Sequence, residues 1–66
     1  MTLTVNGRTV DGGTGLSVQQ LVESLTQATR GVAVAVNGAV VPRSTWASVA
    51  LADGDAVEVL TAAQGG

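Results

Sequence analysis

The 66-residue sequence contains no cysteine, histidine, phenylalanine or tyrosine, and it has a single proline and a single tryptophan. Lysine is absent too, so the three basic residues are all arginines: Arg8, Arg30 and Arg43. Each absence removes a class of function. Without cysteine there is no disulfide, no thiolate metal site and no iron–sulfur cluster, which excludes a cluster-bearing ferredoxin. Without His, Cys, Lys or Tyr, the side chains most used for acid–base and nucleophilic chemistry are missing. Three arginines far apart, with no aromatics between them, cannot form a basic stripe, and the net charge of −2 disfavours a nucleic-acid partner. No apolar run approaches the length of a membrane span. The opening MTLTVNGRTV lacks the basic segment and apolar run of a secretory signal. The expectation is a cytoplasmic, soluble protein without a membrane partner.

What is present is a small set of strand, turn and helix signals. Thr2, Leu3, Thr4 and Val5 alternate with the period of a half-buried strand. Asn6-Gly7 follows and then Arg-Thr-Val, which predicts an antiparallel hairpin because both turn residues must accept positive φ. Ser17 and Gln20 have the spacing of a capping box, and Leu16 and Leu21 that of a hydrophobic staple. Val18, Leu21, Val22, Leu25 and Ala28 then repeat at helical spacing. A helix over 18–29 is predicted, stopped by Gly31 as its C′ residue.

The run VAVAV from Val32 predicts a third strand with its valines inward and Ala33 and Ala35 outward. Asn37-Gly38 predicts a second hairpin into Ala39, Val40 and Val41, which Pro42 ends or confines to an edge. A short connection should bring Trp46 against the rim of the core. After a turn at Asp53-Gly54, the last strand has Val57 and Val59 inward and Glu58 and Leu60 outward. One helix must cover one face of a mixed sheet of four to five strands. The compact α+β solution is the β-grasp, or ubiquitin-like, fold with the first and last strands adjacent at its centre. Residues 1–60 form the single domain and 61–66 a flexible tail.

Few groups here could carry chemistry. The loop DGGTG matches neither phosphate-binding glycine pattern, and reads as a connection. Of the five carboxylates, Asp53 and Asp55 flank a turn glycine, Glu23 and Glu58 lie on solvated faces, and Asp11 is in a loop. None has a catalytic partner, so an enzyme is not expected, and neither a metal nor a bound cofactor is called for. The remaining candidate is the carboxyl group of Gly66, at the end of LTAAQGG. Its pKa of about 3.5 makes it a carboxylate at neutral pH, unreactive until another protein activates it as an acyl group with ATP. Two residues without Cβ pass easily through a narrow channel and leave the acyl carbon open to attack. Ordering such a tail costs about 1–2 kcal/mol per residue, so the folded body must contribute docking contacts. Ala33, Ala35 and Leu60 are the candidate patch.

The stretches VNGAVVPRSTW and LADGDAVEVL and the terminal QGG resemble the sulfur carrier proteins of thiamine biosynthesis. Val-Pro-Arg-x-x-Trp, here Val41 to Trp46, and Leu-x-Asp-Gly-Asp, here Leu51 to Asp55, are more specific than the diglycine. The resemblance implies a ubiquitin-like fold and a protein co-substrate rather than a catalyst. It implies that an adenylyltransferase of the ubiquitin-activating type forms an acyl-adenylate on Gly66. Sulfur from a cysteine desulfurase or a rhodanese-like protein would replace the adenylate, and thiazole synthase would consume the resulting thiocarboxylate. Gln64 and Gly65 would lie in the partners' channels. Ala62 and Ala63 are small where members often carry a bulkier residue. Two other readings remain beside it: a related carrier for molybdopterin, cysteine or tRNA thiolation, and a plain β-grasp interaction module.

Overall fold

In a computed structural model, which describes residues 1–27 and 30–62, both Asn-Gly pairs take the left-handed backbone. The φ angles are 52° at Asn6, 81° at Gly7, 52° at Asn37 and 84° at Gly38. This turn geometry matches the right-handed twist of the strands it joins. The first turn connects β1 (Thr2–Val5) to β2 (Arg8–Asp11). The second connects β3 (Val32–Val36) to β4 (Ala39–Val40). β5 (Ala56–Thr61) lies between the two hairpins, parallel to β1 and antiparallel to β3. The sheet order β2-β1-β5-β3-β4 therefore puts the first and last strands side by side at the centre, as the β-grasp expectation requires. Pro42 follows the short edge strand β4, where its missing N–H interrupts no ladder.

The two turn asparagines also hold β5. The ladder of β1 against β5 ends at the pair Val5 and Val57. Beyond it, the Asn6 side-chain amide serves as the next partner: Nδ2 donates to the Val59 carbonyl (3.0 Å), and Oδ1 accepts from the Val59 N–H (2.9 Å). At the start of β5, the Asn37 Oδ1 accepts from the Ala56 N–H (3.0 Å), while its own N–H donates to the Ala56 carbonyl (2.7 Å). The Asn37 Nδ2 donates to Asp55 Oδ1 (2.9 Å), and Asp55 Oδ2 accepts from the Ala52 N–H (2.8 Å). Residues chosen for a turn thus double as backbone substitutes.

The single helix α1 runs Val18–Leu25 and starts as predicted. Ser17 Oγ accepts from the Gln20 N–H (3.1 Å), and Gln20 Oε1 accepts from the Ser17 N–H (2.9 Å). Its end differs from the expectation of 18–29. Thr26 is already extended, with φ −152°. Gly31 has the positive φ of a C′ glycine (74°) but stands well past the helix end. Past Leu25 only Ala28 is apolar before Gly31, so a further turn would bury almost nothing; Ala28 itself lies outside the described residues. Leu25, counted with the apolar face, is 48% exposed.

One face of the sheet and α1 enclose the core: Leu3, Val5, Val34, Val57 and Val59 from the strands, Val18, Leu21 and Val22 from the helix. Leu51 and Trp46 complete it. Trp46 is not at the rim, as predicted, but buried at 2% exposure. The short 3₁₀ turn Arg43–Thr45 after Pro42 swings the indole inward. Its Nε1–H donates to the Val41 carbonyl (2.9 Å), so burial leaves no unpaired donor. Arg43 covers the ring from outside, 5.3 Å from its centroid.

Two expectations follow. Asn6→Gly keeps the turn geometry but removes the amide clamp on Val59, and should cost roughly 1–2 kcal/mol. The midpoint of thermal unfolding should fall by about 4–8 °C per kcal/mol, and an unchanged midpoint would show that the clamp contributes nothing. Asp55 is held below the usual carboxylate range, first by the Ala52 N–H and second by the Asn37 amide. A lowered folded value means stability that is present above the unfolded value of about 3.9 and lost as pH falls through the folded one. The gap in melting temperature between wild type and Asp55→Asn should therefore narrow as pH drops from near neutral to below both values.

Candidate functional site

β5 is the element that leads to the chain end, and its outward side chains define the nearest surface. Alternation puts Val57 and Val59 in the core and Glu58 and Leu60 outside, as predicted. β5 runs through Thr61, which pairs with Val32, and the Ala62 N–H donates to the Gly31 carbonyl (2.6 Å). The ladder therefore runs one residue past residue 60, and one further backbone hydrogen bond follows it. Ala63 and the three residues assigned to the tail chemistry, Gln64, Gly65 and Gly66, lie outside the described residues.

The candidate patch residues do come together. Ala33 pairs with Leu60, and Ala35 pairs both with Glu58 on β5 and with Val40 on β4. Facing residues of paired strands share one side of a sheet, so Ala33, Ala35, Val40, Glu58 and Leu60 form one outward surface. Leu60 is 67% exposed and Val40 77%. They border a shallow concavity of about 110 Å³ whose lining also includes Ala33, Val34, Ala35 and Glu58. Val40 is absent from the patch expected from sequence. Its signal was available: a two-residue turn at Asn37-Gly38 fixes the register that puts Val40 opposite Ala35.

The other half of the outward face differs in character. Thr2 pairs with Asp11 and Thr4 with Thr9, while their neighbours Leu3 and Val5 point to the core. The sheet is thus aliphatic on the β5-β3-β4 side and hydroxyl-lined on the β1-β2 side. Apolar surface is concentrated on the half of the outward face formed by β5, β3 and β4.

The carboxylates are scattered. Asp11 lies 3.8 Å from the N-terminal ammonium, Asp53 accepts from the Thr2 N–H (2.7 Å), and Glu23 accepts from Gln19 Nε2 (2.8 Å). Asp55 belongs to the Asn37 network described above. Among the described residues no three His, Cys, Asp or Glu side chains gather as a metal site would need. No helix among them is long and apolar enough to cross a membrane. A second concavity, about 220 Å³, lies between α1 and the 3₁₀ turn, beside Gln19, Glu23, Arg43 and Trp46.

The profile of the ThiS family matches residues 2–66. The sulfur carrier protein ThiS of Escherichia coli (strain K12) is 33% identical over 66 residues, the full length of both chains. A crystal structure of the thiamine biosynthesis protein (ThiS) from Geobacter metallireducens is 42% identical over the whole of both chains, with a TM-score of 0.79. A solution structure of a thiamine biosynthesis protein from the same organism is 43% identical, with a TM-score of 0.82; the match covers all of this chain and 88% of that one. The match in sequence and that in fold both run from end to end: the chain belongs to the ThiS family.

Proposed function

We propose that the chain is a sulfur carrier of thiamine biosynthesis and that Gly66 is the residue that carries the sulfur. Membership of the ThiS family over residues 2–66 is the observation that supports this most strongly. The chemistry of the sequence agrees with it: the only group suited to acyl transfer is a carboxylate on two glycines, and no His, Cys, Lys or Tyr is present to act as a catalyst. In this reading the Gly66 carboxylate attacks the α-phosphate of ATP in the site of a ubiquitin-activating-type adenylyltransferase. Pyrophosphate leaves and a glycyl-adenylate forms. The terminal sulfur of a persulfide, supplied by a cysteine desulfurase or a rhodanese-like protein, then displaces AMP. The displacement joins that sulfur to the acyl carbon. A thiol then attacks the inner sulfur of the persulfide's original sulfur–sulfur bond, which leaves a disulfide on the donor and frees the thiocarboxylate that thiazole synthase consumes. ATP is used by the partner and is not held by this chain. These steps belong to the cytoplasm.

In this reading the chain itself supplies a tail and a docking surface. β5, held between β1 and β3, presents the tail from the middle of the sheet. The four residues beyond Ala62 span at most about 14 Å when extended, enough to reach into a partner's active site while the body stays outside. Gln64 and Gly65 occupy the partner's channel. Ala33, Ala35 and Leu60, joined by Val40, make the docking contacts.

Intact-mass analysis of the protein from cells with a working thiazole pathway should reveal a fraction in which one oxygen is replaced by sulfur. Its absence, together with no adenylation of Gly66 by the purified adenylyltransferase and ATP, would rule the carrier reading out. Deletion of Gly66 should abolish sulfur transfer yet move the thermal midpoint by no more than about 1 °C, because the tail adds little to the core. A large loss of stability would mean that the last residues are part of the folded body.

A further inference from the structure

Glu58 differs from the other four carboxylates. Each of those has a hydrogen bond or an ion pair within the chain. Glu58 has none with a described residue, although it stands in the middle of the central strand and not in a loop. Its surroundings are aliphatic. The concavity beside it is lined by Ala33, Val34, Ala35, Val40 and Leu60, and Glu58 supplies its one ionisable side chain. A carboxylate isolated on an apolar docking face has a cost when that face is covered, because a desolvated charge needs a counter-charge.

We propose that this concavity receives one long cationic side chain, arginine or lysine, from the adenylyltransferase, and that Glu58 is the charge that selects it. The proposal rests on the carrier reading above. Such a side chain fits both halves of the site: its methylenes lie along Leu60 and Val40, and its charged head meets the carboxylate. The concavity of about 110 Å³ has an aliphatic wall along which the stem can lie. A second copy of this chain is a poor occupant, since a two-fold contact through this face would bring two Glu58 carboxylates together. An uncharged apolar anchor from the partner would leave Glu58 buried and unpaired. Glu58 thereby converts a generic aliphatic patch into one that accepts cationic partners and rejects others.

The test is the affinity of the full-length chain for the adenylyltransferase of the same organism, measured for wild type, Glu58→Gln, Glu58→Lys and Leu60→Ala at low and high salt. Glu58→Gln should raise Kd about tenfold at low salt and flatten the salt dependence, and Glu58→Lys should weaken binding further. Thermal unfolding of both Glu58 variants should match wild type, since the Glu58 carboxylate has no partner among the described residues. Wild-type affinity for Glu58→Gln, with Leu60→Ala weakened, would overturn the charge proposal and leave the docking face intact. Wild-type affinity for both would overturn the face as well. Wild-type protein that neither binds nor becomes adenylated would remove the carrier reading, and with it this one.

Discussion

The structure depends on how β5 is held. Among the described residues one α-helix covers one face of the sheet, so the last strand is secured by its two inward valines and by its neighbours within the sheet. β1 and β3 flank it, and where the β1 ladder stops the Asn6 side chain continues it to Val59. Asn37 performs the same service at Ala56. One residue type meets two needs: it accepts the positive φ of the tight turn, and it carries an amide that copies a peptide unit. Val57 and Val59 can then enter the core in a fixed register, which in turn fixes Glu58 and Leu60 on the outside.

From that register follows the division of labour between the two faces. The inner face is entirely apolar and includes the only aromatic residue, whose polar edge is satisfied by Val41. The outer face carries small and aliphatic residues near the exit of the tail and threonines away from it. In the carrier reading, a protein that contributes only an acyl group needs no cleft of its own. It needs a body that can be recognised and an end that can be delivered, and Glu58 and Leu60 of the outward surface stand on the strand that leads to that end.

Much of this was legible from the residues alone. The hairpins, the helix start and the inward and outward sides of β3 and β5 come from local rules: turn chemistry, capping and alternation. The misreadings arise where local signals compete with packing. Glycine at 31 suggests a late helix end, yet the helix stops at Leu25 because the residues between offer nothing to bury. Trp46 as the only aromatic side chain gave no clue to its depth, which is set by the Pro42 turn and by the Val41 carbonyl that receives its N–H. The long-range amide clamps could not be read from sequence, because the two turn asparagines each bond to residues far along the chain. The pairing of Val40 with the outward patch could have been derived from the turn register.

The parallel alignment of β1 with β5 has a mechanical consequence. A pull applied along the axis of β5 acts parallel to both flanking strands. Force in that direction loads the bonds on both flanks of the strand together, in shear, instead of peeling them open one at a time. In the carrier reading, a partner that grips the end of the chain can thus draw on it without peeling the sheet apart.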